Sequence, residues 1–131
     1  MKILITGANG QLGHELVRAA IASGHEVVAT SHETLDITDK SAVDAAITAA
    51  RPDVVIHAAA WTAVDACESD PDKALLVNGT ATKYVVDAAH AVGAHVVYIS
   101  TDYVFDGNKT SGYDEGDTPN PQSVYGSSKL A

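Results

Sequence analysis

Apolar residues along this chain follow two alternating rhythms. Lys2-Ile3-Leu4-Ile5-Thr6 is a nearly unbroken apolar run, the pattern of a strand buried on both faces. Gln11 to Ser23 has helical spacing, with Leu12, Leu16, Val17, Ala20 and Ile21 on one face and Gly24 as a C-terminal stop. Glu26 to Thr30 predicts a second strand, and Leu35-Asp36-Ile37 a short third one. Thr38 or Asp39 can cap a helix that runs to about Ala50, turning Ala42, Val43, Ala46 and Ile47 inward, and Pro52 closes it. Asp53 to His57 predicts a fourth strand. Trp61 to Glu68 reads as a loop or short helix. Ser69 or Asp70 before Pro71 opens a helix to about Ala91, Gly93 ends it, and His95 to Ser100 predicts a fifth strand.

Strands alternating with helices predict an α/β fold: a doubly wound, Rossmann-like parallel sheet with right-handed crossovers, taken as one domain over residues 1–131. Ligands of such sheets bind beyond the carboxyl ends of the strands. Here those ends are Gly7–Gly13, Thr30-Ser31, Asp36-Ile37, Ala58–Thr62 and Ser100–Asp102.

The first strand end carries Gly7-Ala8-Asn9-Gly10-Gln11-Leu12-Gly13. Glycine at Gly7 allows a tight turn, at Gly10 a phosphate's approach to the backbone, and at Gly13 close packing of helix on strand. The following helix offers free N–H groups and a partial positive charge to an anion, so a diphosphate is expected there. Ala58-Ala59-Ala60 puts three small residues at another strand end, which leaves room for a ligand or for close packing of the next helix. From Thr101 to Ser123 periodicity stops, and a loop of that length is often a lid or binding loop. Its acids do not keep the register of a calcium loop.

Charge narrows the partners. Seventeen acids against 8 bases leave a net charge of −9, which disfavours nucleic acid and an anionic membrane surface. The lone Cys67 makes no internal disulfide and fits a reducing cytoplasm, and the start of the chain reads as a strand rather than a signal peptide. The six histidines have no zinc-ligand spacing, so no metal is expected; His57 reads as a packed core histidine.

At the end stands Tyr125-Gly126-Ser127-Ser128-Lys129. On a helix, Tyr125 and Lys129 share a face one turn apart. A phenol has a reference pKa of about 10, and a neighbouring ammonium lowers it toward a useful range. The pair is a candidate proton-transfer unit.

Taken together, Gly7-x-x-Gly10-x-x-Gly13, His57-Ala58-Ala59-Ala60, Asn78-Gly79-Thr80, Ser100-Thr101-Asp102-Tyr103-Val104-Phe105 and Tyr125-Gly126-Ser127-Ser128-Lys129 resemble the extended short-chain dehydrogenase/reductase superfamily. Within it, Arg51-Pro52-Asp53 through Trp61-Thr62-Ala63-Val64-Asp65, and Ser100 to Phe105 followed by Tyr125-Gly126, resemble the dTDP-4-dehydrorhamnose reductase family. The resemblance implies that Tyr125 donates a proton to the C4 keto oxygen of a nucleotide-linked sugar. Lys129 would depress the Tyr125 pKa and bind the nicotinamide ribose, and Thr101 would hydrogen-bond the same oxygen. Gly10, Gln11 and Leu12 would contact the diphosphate and Asp36-Ile37 the adenine. Ala60, Trp61 and Thr62 would line the cofactor's path with Ala58 near them, Ile99 would lie beside the nicotinamide, and Asp102 and Tyr103 would face substrate.

Two departures from the family pattern matter. The second strand ends in Thr30-Ser31-His32, with no acid to bind a ribose 2′-hydroxyl. That leans toward NADPH, or use of both NADPH and NADH. The family's substrate-binding part is built largely from later chain, so these residues alone are expected to hold cofactor without turnover, with Tyr125 and Lys129 loosely fixed. The last strand would then present an apolar edge, a route to a homodimer or to aggregation. Two other classes compete: a non-catalytic NADP-binding regulatory subunit, and a nucleotide-sugar epimerase or dehydratase. The joint presence of Thr101, Tyr125 and Lys129 argues against the first, and the Asp102-Tyr103-Val104-Phe105 run against the second.

Overall fold

The computed structural model describes all residues 1–131. Strands β1 (Lys2–Thr6), β2 (Glu26–Ala29), β3 (Val54–His57) and β4 (His95–Tyr98) form one parallel sheet in the order β2-β1-β3-β4. Ile3 stands opposite Val27 on one side and Val54 on the other, and Val55 opposite Val96. The helices are α1 (Gln11–Ala22), α2 (Lys40–Ala50), α3 (Val64–Ser69), α4 (Pro71–Leu75), α5 (Ala81–Ala91) and α6 (Val124–Leu130). The step from β1 to β2 runs one way across the sheet, and the later steps run the other. Right-handed crossovers therefore put α1 on one face and α2 and α5 on the opposite one. The order reverses between β1 and β3, so their carboxyl ends flank the crevice where such sheets take ligands. No helix is long and apolar enough to cross a membrane.

The chain forms two compact units, Met1–Ala60 with Ala81–Ile99, and Trp61–Thr80 with Ser100–Ala131. In the first, Ile3 and Ile5 pack with Leu16, Val17 and Ala20 of α1 and with Val27 and Ile56. Alternation along β1 sends Leu4 to the other face, and α2 packs against α5 with Val43, Ile47 and Val85 fully buried. Asp39 caps α2, its carboxylate accepting from the Ala42 amide at 3.1 Å. In the second unit, Cys67, Ala74 and Tyr125 form a core with Trp61, Val64 and Val124. Asp70 caps α4 and Ser123 caps α6, accepting from the amides of Lys73 and Gly126.

The sequence reading needs four corrections. Leu35-Asp36-Ile37 is not a strand: the Leu35 amide donates back to the Ser31 carbonyl, and the Asp36 carboxylate closes a turn onto Thr38. Leu35 and Ile37 are nevertheless buried, so their apolar character serves packing rather than a ladder. Leu12 and Ile21 are exposed. At about 100° per residue they fall on opposite margins of a stripe centred on Gly13, Leu16, Val17 and Ala20. The helix read from Pro71 to Ala91 is interrupted by a π-helical turn at Leu76–Thr80. Finally, Tyr125 and Lys129 are not loosely fixed. Both are buried, and α6 packs against α3, α4, the π turn and the short 3-10 helix Asp102–Val104.

Candidate active site

The first unit builds the glycine turn. Gly7 adopts φ 69°, in the region that favours glycine. A Cβ there would stand 2.7 Å from the Ala59 nitrogen and 3.0 Å from the Ala58 carbonyl carbon. Glycine at position 7 thus lets the turn lie directly against the Ala58-Ala59 backbone. The Ala8 amide donates to the Thr30 carbonyl at 2.8 Å and the Gly10 amide to the Gly7 carbonyl at 2.9 Å. Gly10 is the N-cap of α1 and supplies no side chain to its first N–H groups. An uncapped twelve-residue helix whose opening turn is exposed at Gly10, Gln11 and Leu12 is a ready acceptor of an anion.

A buried polar chain supports this turn. Thr6 Oγ1 lies 2.7 Å from His57 Nδ1 and accepts from the Ala59 amide at 3.2 Å. His57 Nε2 lies 3.1 Å from Thr82 Oγ1, and the ring stacks on Tyr98. His57 is 1% exposed, the packed core histidine expected from the sequence. The Thr30 hydroxyl donates to the Ile5 carbonyl, and Ser31 is half-buried with its amide bound to Thr34 Oγ1. Asp36 is exposed; its carboxyl lies below the usual range because the Thr38 hydroxyl and amide bond it. Ile37 is buried, Ala60 and Ile99 are half-buried, and the Ile99 amide donates to the His57 carbonyl at 3.4 Å.

The second unit brings together Thr101, Asp102, Tyr103, Tyr125 and Lys129. Thr101 caps the 3-10 helix: its hydroxyl accepts from the Tyr103 amide at 3.2 Å and donates to Asp102 Oδ1 at 3.2 Å. The Tyr103 and Tyr125 rings meet edge to face with centroids 5.7 Å apart. Gly126 lets them approach, because a Cβ there would run into the Tyr103 carbonyl. Burial pushes the Tyr125 phenol above its ordinary pKa, and hydrogen bonding with Thr101 works the other way. Asp102, Cys67 and Tyr103 add to the rise. The expectation that Lys129 depresses this pKa is therefore corrected: the opposing group is Thr101, and the net shift is upward. Lys129 itself is lowered to about 8 by burial. Trp61 is half-buried beneath the Lys73 ammonium, 4.3 Å from its ring centroid, and Thr62 is exposed.

Three residues escape a reading for roles. Asn78 is buried in the π turn, Ser128 is buried on α6, and Gly126 admits the Tyr103 backbone. An asparagine beside a glycine inside a helical run is a poor helix former at both positions, and that was the available signal.

A parallel, doubly wound sheet with an uncapped glycine turn, and a helix bearing a buried Tyr-x-x-x-Lys pair, make this a Rossmann-like α/β protein. The RmlD substrate binding domain family matches residues 1–131, and the chain belongs to that family. It is 48% identical over 130 residues to the dTDP-4-dehydrorhamnose reductase of Burkholderia thailandensis, covering 99% of this chain and 43% of that protein. Among solved structures it resembles a dTDP-4-dehydrorhamnose reductase from Clostridium acetobutylicum, with 49% identity and a TM-score of 0.96 over 99% of this chain and 46% of that one. The enzyme of the same name from Bacillus anthracis, solved in complex with NADP, matches at 42% identity and a TM-score of 0.95, covering 98% of this chain and 46% of that one. The chain thus spans less than half the length of the curated relatives it matches.

Proposed function

We propose that this chain is the cofactor-holding and proton-donating part of a dTDP-4-dehydrorhamnose reductase, which reduces the C4 keto group of dTDP-4-dehydro-6-deoxy-L-mannose to give dTDP-L-rhamnose. The observation that carries the reading is the buried Tyr125 on α6, followed one turn later by the buried Lys129. A reduced nicotinamide, when bound, supplies the hydride. The residues present fit such a group: the N-cap Gly10 brings no side chain to the opening of α1, and no side chain caps that helix's first amides.

The turn Gly7–Gly13 holds the diphosphate, with Gly7 and Gly13 shaping it, Gly10 leaving room for the phosphate and the Gln11 and Leu12 amides at the opening of α1 donating to it. Ser31 and His32 stand where a 2′-phosphate would be received, with no carboxylate at Thr30 to repel it, so NADPH is favoured over NADH. Asp36 is the exposed member of the pair at the adenine, while Ile37 packs inward. Ala60, Trp61, Thr62 and Ile99 border the cofactor. Asp102 and Tyr103, both exposed, contact the sugar. Thr101 hydrogen-bonds the keto oxygen. Tyr125 gives it a proton, since a phenol is protonated at neutral pH and can donate to a developing alkoxide. Lys129 holds its charge near the developing alkoxide and the ribose.

The test incubates the full-length protein that carries this chain with the keto sugar and follows NADPH absorbance. Loss of absorbance matched by dTDP-L-rhamnose is expected, with a lower Michaelis constant for NADPH than for NADH. Tight cofactor binding without turnover would overturn the reading in favour of a regulatory subunit. These 131 residues alone are expected to bind cofactor and not to turn over.

A further inference from the structure

We infer that Glu68 is a positioning residue for Tyr125, holding the opening of α6 against α3 through the Val124 amide. The inference rests on the reductase reading of Tyr125. α6 has seven residues, too few to keep a helix without packing. Tyr125 is the second of them, in a terminal turn of the kind that opens most easily. Whatever ties that turn down therefore sets where the phenol stands. The first N–H groups of a helix have no partner inside it. Ser123 Oγ takes the Gly126 amide at 3.0 Å, and Glu68 Oε1 takes the Val124 amide at 2.8 Å from fifty-six residues away. A carboxylate at a helix N-terminus also meets the positive end of the helix dipole.

Glu68 works with its neighbour in α3. Cys67 is fully buried and packs with Tyr125 and Val124 in the core of the second unit. Consecutive residues of α3 thus grip consecutive residues of α6, Cys67 at the side chains and Glu68 at the backbone. Apolar contact has no direction, so by itself it lets one surface slide over another. A hydrogen bond has a preferred length and angle, and it fixes the height and rotation of the first turn. Glu68 is exposed and takes part in no salt bridge, so no ion pair competes with the amide for its carboxylate. The donor can be deleted as selectively as the acceptor. Val124 is the first helical residue after the N-cap Ser123, the position at which a helix accepts proline. Ser123 is extended, at φ −124° and ψ 157°, a conformation compatible with a proline after it.

The test uses the full-length protein that carries this chain, with Glu68→Ala, Glu68→Gln, Val124→Ala, Val124→Pro and the double variant Glu68→Ala with Val124→Pro. Glu68→Ala is expected to lower kcat by about tenfold, since misplacement of a reacting group by about 1 Å costs up to about 10²-fold, while KM for NADPH stays within about twofold. Glu68→Gln keeps an acceptor oxygen and should return kcat to within about twofold of wild type. Val124→Ala loses side-chain packing but keeps the N–H. Val124→Pro lacks both and should be slower than Val124→Ala by about the same tenfold. Glu68→Ala should cost nothing more in the proline background, as for the two ends of one bond. Hydrogen exchange gives a readout independent of turnover. The Val124 amide should exchange faster in Glu68→Ala and keep its protection in Glu68→Gln. If Val124→Pro does not fold, the two Glu68 variants carry the kinetic arm. A wild-type kcat in Glu68→Ala, a Glu68→Gln as slow as Glu68→Ala, or losses that multiply in the double variant would overturn the inference while leaving the reductase reading intact. If wild type turns nothing over, that reading falls, and unchanged exchange at Val124 in Glu68→Ala would overturn the tie on its own.

Discussion

The Gly7 carbonyl occupies the space that a side chain at Gly13 would need, with the Ala8 Cα 2.7 Å from the same point. Backbone, not a movable side chain, stands in the way. Gly13→Ala must therefore push α1 off β1. At Gly10 a Cβ would meet only the Gly7 carbonyl, at 3.2 Å. The expected outcome is a split. Gly13→Ala should lower stability by about 2 kcal/mol or more, the scale of backbone strain and overpacking. Gly10→Ala should keep a Tm near wild type yet weaken NADPH binding by at least about tenfold, because the new methyl stands where the phosphate approaches. Thermal melts and cofactor titration of the two variants check this. Equal losses of stability would remove the argument that Gly10 serves a ligand.

Tyr125 and Thr101 should separate chemistry from binding. Tyr125→Phe removes the acid and leaves the ring packed on Tyr103, so kcat should fall by about 10²–10⁴-fold with cofactor affinity unchanged. Thr101→Val removes the group that opposes the rise in the Tyr125 pKa. The phenol of that variant should titrate at higher pH than in wild type, seen in ultraviolet difference spectra. A titration moved to lower pH would contradict the role given to Thr101.

Lys129 makes a pH prediction of definite sign. Burial brings its folded pKa to about 8 from an ordinary 10.5. Below pH 8 both folded and unfolded chains carry the proton, and the folded state bears the full penalty of holding a buried charge. Between about 8 and 10.5 the unfolded chain holds more protons, so stability rises with pH across that window. Lys129→Met lacks this term. Its Tm relative to wild type should therefore decline as pH is raised through the window. Wild-type kcat should fall above pH about 8 as Lys129 discharges. A Tm difference flat with pH would sink the assignment.

The parts that local pattern specifies were legible in the chain. β1 is bounded by a charge and a glycine, α2 opens on an aspartate that caps it, and Gly24 stops α1 with φ 76°. Tyr125 and Lys129 could be paired because four residues on a helix make one turn. What was not legible depends on partners distant in sequence. Leu35-Asp36-Ile37 stays out of the ladder because β2 is the edge strand of the sheet, with no neighbour for that run, and the Asp36 carboxylate accepts from Thr38 in a turn instead. Asn78 beside Gly79 stands out as a poor helix former, but what its amide bonds to is set by Ser128, fifty positions later. The direction of the Tyr125 shift was misread for the same reason. The lysine next to it in the helix is visible in sequence, whereas the burial that dominates is a property of the packed second unit.

Asp106 holds the long loop after Phe105 in one shape, and this too can be tested. Its carboxylate accepts from the Asn108 amide at 3.0 Å, the Tyr113 hydroxyl at 2.8 Å and the Asn120 side-chain amide at 3.1 Å. These bonds bring its pKa down to about 2. Phe105 stacks on Tyr113 with ring centroids 4.2 Å apart, and Lys109 pairs with Asp117 across the loop. Removing the carboxylate should free three donors at once. Trypsin should then cut after Lys109 severalfold faster in Asp106→Ala than in wild type, while Tm, set by the two packed cores, moves little. A depressed folded pKa contributes stability above the ordinary carboxylate value of 3.8 and loses it as pH falls toward 2. Wild-type loop protection, read by hydrogen exchange, should therefore fade over that acid range and be absent at all pH values in Asp106→Ala. If Lys109 is cut at the same rate in both proteins, the stacked rings and the lysine pair are sufficient, and Asp106 is not what closes the loop.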